Sequence, residues 1–274
     1  MLEALQFKFI QKAIIASVFG GAGCGIIGVW IIMARIPFVG IAMSHAAFAG
    51  AIFGLLFHVN PLVMAILFSL ISSALIGPVA EKTDLDPNIS LGIIFSLLLG
   101  VTFLGIGLLK GPKTEALNFI WGNILLLSKP DVTLLIIVVF VIFLFLMLLF
   151  KEIQAILFNR EIARAVGIPE RVIFYGMILL SGMTVALSLN TIGGLLIFSL
   201  IINPPSAAYQ LTYNLRTMFF ISAIFGICSC MLGLFFSYLF NVPSGAVIII
   251  VSAVIFGLSF IFSPKRRVKY NESS

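Results

Sequence analysis

The sequence predicts an all-α polytopic integral membrane protein with about eight to ten transmembrane helices. Three observations predict it. Of the 274 residues, 61% are hydrophobic and 9% charged, against about 45–50% and about 25% in a soluble globular chain. A soluble fold of this length has too little interior to hide that excess. Apolar runs of about eighteen residues or more recur along the chain, and backbone groups in lipid are satisfied inside such runs only as helices. Every Lys, Arg, Asp and Glu lies outside these runs or at their edges.

The runs fall at 10–34, 36–57, 60–79, 89–109, 132–150, 172–190, 192–211, 217–240 and 244–262, within a single domain over 1–274. The first is longer than the core of a cleavable signal peptide and belongs to the series. It holds Gly20, Gly21, Gly23, Gly25 and Gly28. The second carries Gly50 and Gly54 at GxxxG spacing. Small residues of this kind let helix backbones meet in lipid. The run Val132–Phe150 is bulky throughout, so it is expected to face lipid. Between Lys110 and Pro130, "ALNFIWGNILLL" is short for a span and reads as a re-entrant or interfacial segment. In "GGLLIFSLIINPPSAAYQL", Pro204 and Pro205 remove two amide donors, which predicts a kinked or broken helix there.

Charge sets orientation. Lys151, Arg160, Arg164 and Arg171 cluster in 151–171, and Lys265, Arg266, Arg267 and Lys269 in a basic tail over 263–274. Both are expected to be cytoplasmic. Four runs lie between them, an even number, so the two assignments agree. Counting back through nine runs puts Arg35 inside and the N-terminus outside. The net charge of +6 forms no broad basic patch, which disfavours nucleic acid as a partner. Cys24, Cys228 and Cys230 lie in apolar runs without disulfide or zinc spacing and read as small buried side chains.

Few residues offer chemistry. No G-x-x-x-x-G-K-[ST] loop is present, so nothing in the chain signals nucleotide hydrolysis. No acid or base sits inside a run, which disfavours a carboxylate relay. One histidine and no intramembrane acid also make a thin catalytic set. His45, in "RIPFVGIAMSHAAFAG", lies well inside an apolar run. It either hydrogen-bonds to a neighbouring helix or borders a substrate path, where neutral imidazole suits zinc and other late transition metals. Met43 offers a thioether and Ser44 a hydroxyl beside it. His58 precedes Asn60 and Pro61 at a run's end and reads as interfacial. The segment 151–171 mixes apolar and charged residues before Gly167 and Pro169, as a short amphipathic helix would.

Four pieces resemble a known family, the permease subunits of ABC transporters for zinc, manganese or iron. They are "GIIGVWIIMARIPFVGIAMSHAAFAG", "NISLGIIFSLLLGVTFLGIGLL", "LFNREIARAVGIPE" and "TIGGLLIFSLIINPPSAAYQL". They occur in the family's order and cover most of the chain. The resemblance implies a homodimer or pseudo-dimer around one central path in the cell membrane. Two cytoplasmic ATPase subunits would use the ATP, and an extracytoplasmic solute-binding protein would deliver a divalent metal. It also implies that His45, with Ser44 and Met43, meets the metal transiently, and that Glu161, Ala163 and Gly167 help form the surface coupled to the ATPase. Family members commonly carry an Asp four residues before the histidine matching His45; this sequence has Ile41. Without that carboxylate, a softer cargo such as zinc fits the donor set better than manganese. Two other expectations are a different cargo on the same fold and a structural membrane subunit without a path. Genes for an ATPase and a solute-binding protein are expected beside this one; a lone gene would contradict the transporter reading.

Overall fold

The computed structural model describes residues 8–82, 87–109 and 128–265. They form eleven helices: α1 (Lys8–Met33), α2 (Phe38–Leu56), α3 (Pro61–Lys82), α4 (Pro87–Leu108), α5 (Lys129–Leu148), α6 (Phe150–Phe158), α7 (Arg160–Ala165), α8 (Glu170–Ile192), α9 (Gly194–Leu211), α10 (Leu215–Phe240) and α11 (Ser244–Ile261). Each of the nine apolar runs coincides with one helix. Seven of these, α1, α2, α4, α5, α8, α10 and α11, are long and apolar enough to cross a membrane. α3 contributes a shorter apolar stretch, Pro61–Leu75. Apart from its last three residues, the re-entrant or interfacial segment expected at 110–130 lies outside the described residues. So does the basic tail beyond Lys265.

Local chemistry sets several helix starts. Ser128 and Asp131 form a reciprocal capping box at α5: the Asp131 amide donates to Ser128 Oγ at 3.3 Å, and the Ser128 amide donates to Asp131 Oδ2 at 3.0 Å. Asn60, Asn159 and Asn214 each accept amide hydrogens from the first turns of α3, α7 and α10. α10 ends on Asn241 at φ +54, a left-handed position that asparagine tolerates.

The bundle is organised around α1, which packs on α10, α9, α5 and α8. A Cβ on Gly21 would lie 2.5 Å from the Gly226 carbonyl oxygen, and one on Gly25 2.5 Å from that of Ser222. Only glycine permits this approach. The pairs 21–226 and 25–222 also show that α1 and α10 run antiparallel. Ser222 Oγ adds a 2.7 Å hydrogen bond to the Gly25 carbonyl. The GxxxG pair of α2 closes in the same way on α3. Cβ atoms there would come within 2.9 Å of Ala65 Cα at Gly50 and 2.7 Å of Pro61 Cα at Gly54. α5 lies at the periphery as expected. Leu135, Val139 and Ile142 are buried on its inner face, while Ile137, Phe140, Phe143 and Met147 are exposed.

One expectation is corrected. α9 is not broken at its prolines: helix continues through Pro204 and Pro205 to Leu211. Pro205 leaves the Ile201 carbonyl without its amide donor. That oxygen instead faces the Cα of Gly28 on α1, in contact that a Cβ would prevent. A Cα–H directed at the orphaned carbonyl is a weak but real partner. The break falls earlier, at Gly193, where φ +94 and ψ 141 separate α8 from α9 in a region open essentially to glycine.

Replacing Gly21 with leucine is expected to cost about 1–3 kcal/mol by overpacking. It should lower the thermal unfolding midpoint in detergent. A leucine at Gly107, whose Cβ would meet nothing within 4 Å, should leave that midpoint in place.

Candidate functional site

Midway along α2 lies a partly open strip. Ile41 and His45, one helical turn apart, are half-buried, whereas Ala42, Met43 and Ser44 between them and residues 46–50 beyond are buried. The imidazole of His45 sits edge-on to Phe95 of α4, with ring centroids 4.8 Å apart and planes at 75°. Its Nδ1 is buried and has no hydrogen-bond partner among the described residues. A buried ring nitrogen left unpaired costs free energy. The alternative in which His45 serves only to bond a neighbouring helix therefore lacks its bond at that atom.

The structure does not bring Met43 and Ser44 to the same strip. Met43 is fully buried in the core, and Ser44 Oγ donates to the Gly40 carbonyl at 2.7 Å. Helix phase is the reason: at about 100° per residue, position 43 points about 200° away from position 45, while 41 returns to the same face. Among the described residues, no group of three or more His, Cys, Asp or Glu gathers as a metal cluster. His58 is exposed in the α2–α3 turn, at φ +56.

A second feature lies at the end of the bundle that holds Arg35, Asn159, Arg160 and Tyr209. These residues border a cavity of about 770 Å³ between the α1–α2 turn and helices α6 to α8. α6 buries Ile153, Ile156 and Leu157 against the body, and α7 follows after the Asn159 cap. Gly167, at φ +85, ends the segment. Glu161 and Gly167 are exposed, but Ala163 is fully buried. Ala163 seats α7 on the core and is not part of its outer surface. The outer apolar positions are instead Phe158, Ile162 and Val166, exposed by 84%, 54% and 68%. Their four-residue spacing outside any apolar run is the signal in the sequence that marks them.

Behind α7 lies Glu170, which is 1% exposed and holds Arg160 and Arg164 on its two carboxylate oxygens. Nearby, the start of the C-terminal segment is tied to the end of α9. Lys265 Nζ lies 3.6 Å from the Tyr209 ring centre and 4.6 Å from that of Tyr213, and Ser263 Oγ donates to the Gln210 carbonyl at 2.8 Å. Desolvation there holds the Lys265 pKa below the ordinary lysine value.

Residues 6–263 match the ABC 3 transport family. The chain is 31% identical over 272 residues to the manganese transport system membrane protein MntC of Listeria monocytogenes, covering 99% of this chain and 97% of that one. It is 30% identical to the manganese import system permease protein ScaB of Streptococcus parasanguinis, covering 96% and 93%. Its fold superposes on a chain of PsaBC from Streptococcus pneumoniae, solved in complex with Fab, with a TM-score of 0.86, 29% identity and coverage of 97% and 96%. A putative metal-chelate type ABC transporter in an inward-facing conformation shares the fold at a TM-score of 0.76 and 16% identity. The chain thus belongs to the ABC 3 transport family, as a polytopic membrane permease subunit.

Proposed function

We propose that this permease imports a divalent metal, manganese foremost, by alternating access along a path bordered by His45. The observation that carries this reading is the unpaired, buried Nδ1 of His45, a half-buried residue midway along α2. The relatives support manganese by name, whereas a lone imidazole by itself favours zinc. Ile41 adds no preference for manganese, which rests on the relatives alone. With no carboxylate one turn from His45, the path meets the ion through neutral donors, and an ion held weakly can leave. Two copies of the chain would then face each other across the path, each contributing one His45.

The same reading assigns the sides. Arg35, Arg160 and Lys265 collect at one end of the bundle, through the shared cavity and Tyr209. A basic end is the cytoplasmic one. There, two ATPase subunits dock on Phe158, Ile162 and Val166, flanked by Glu161 and Gly167, while a solute-binding protein delivers metal at the opposite end.

His45→Ala is expected to lower ATP-driven manganese uptake in proteoliposomes about tenfold; unchanged uptake of every metal tested would remove His45 from the path. Ile41→Asp restores a charged oxygen donor on the same face. It should tighten manganese binding to the purified complex by about tenfold, read by equilibrium dialysis. Ile162→Asp places a charge in the docking surface and should abolish co-purification of the ATPase in detergent. Retention at the wild-type level would move the docking site elsewhere.

A further inference from the structure

Glu170 is the first residue of α8, and its carboxylate is 1% exposed. Arg160 donates Nε and Nη2 to Oε2 at 3.0 and 2.8 Å. Arg164 donates Nε to Oε1 at 3.0 Å, with its Nη2 on the same oxygen. Each carboxylate oxygen therefore takes a two-nitrogen fork from a different arginine, and both arginines come from α7. The Arg160 guanidinium also lies 4.1 Å from the ring centre of Phe174, one turn further along α8. A buried carboxylate is tolerable only with such partners, and removing both arginines would strand its charge, whereas the arginines themselves reach solvent.

α7 has six residues, too few to hold a helix or an orientation unaided. Its Asn159 cap and buried Ala163 seat it, and the clasp ties its side chains to α8. α8 in turn packs along α1, α2 and α3. Its middle is pinned by the Trp30 Nε1–H donating to Ser181 Oγ at 2.8 Å and by Ser69 Oγ donating to the Gly182 carbonyl at 2.8 Å. A displacement of α7 thus reaches the helix that lies against the His45 helix by two links, the short turn over 166–169, whose Ile168 amide donates to the Ala163 carbonyl at 3.0 Å, and the Glu170 clasp.

We infer that Glu170 is a positioning residue for energy coupling: it converts movement of the ATPase-docked α7 into movement of α8, without touching the ATPase itself. The inference rests on the docking role proposed above for the segment 151–171. Being buried, Glu170 acts only through the arginines. Its loss should therefore separate ATP hydrolysis from transport, where loss of a docking residue removes both.

The test uses the whole complex, permease with its ATPase and solute-binding protein, in proteoliposomes with manganese as the probe. Manganese taken up per ATP hydrolysed is measured for the wild type, for Glu170→Gln, and for a double variant with Arg160→Lys and Arg164→Lys. The lysine pair keeps both charges, so Glu170 is not stranded, but it lacks the planar forks. It decides the question if Glu170→Gln does not assemble. The inference expects co-purification and ATP hydrolysis within about threefold of wild type and uptake per ATP lowered about tenfold or more. A wild-type ratio in the variants, or hydrolysis and uptake falling together in proportion, would overturn it. No ATP-driven uptake by the wild-type complex would overturn the transport reading, and the inference with it.

Discussion

In a hydrocarbon solvent, apolar side chains gain nothing by leaving the solvent for one another. Helices must hold together by contact distance and by the few polar groups they can share. The architecture follows from that constraint at α1. Gly21 and Gly25 let it approach the backbone of α10, and Gly28 lets it approach α9 at the carbonyl that Pro205 leaves without an amide. One helix thereby fixes its neighbours on two sides. The strip of α2 that carries His45 is placed by the same device, with Gly50 and Gly54 against α3 and the Ile41–His45 face turned toward α4. At the basic end, where the hydrocarbon stops, the rule changes: α7 is held by charge-assisted hydrogen bonds to Glu170 rather than by backbone approach.

Much of this was legible in the sequence. The apolar runs located nine helices because each is long and nearly free of charge, with charged, polar or proline residues between them. The glycines of α1 and the GxxxG pair of α2 pointed to close crossings, and the bulky α5 to a lipid face, because those properties belong to the helix itself. The proline pair misled as to a break, because its remedy lies about 170 residues away, in a glycine whose partner no local pattern names. The actual break at Gly193 was not read from the sequence, where it appears only as the first of a glycine pair.

The site was legible by residue type and less so by direction. His45 and Ile41 share a face because they are four apart. Met43 and Ser44 are neighbours in the chain but lie on other faces, so adjacency in sequence misplaced them. The same phase rule separates buried Ala163 from exposed Ile162. Glu170 escaped notice because its partners lie on another element, and an acid following a proline looks like an ordinary helix start. Its role appears only when two arginines ten and six residues earlier fold back onto it.

The most direct test of the central claim is ATP-driven accumulation of radioactive manganese in proteoliposomes containing this chain, its ATPase and its solute-binding protein. Accumulation that requires ATP, and that is competed by unlabelled manganese but not by magnesium, is the predicted result. ATP hydrolysis with no accumulation of manganese or any other divalent metal would contradict the account.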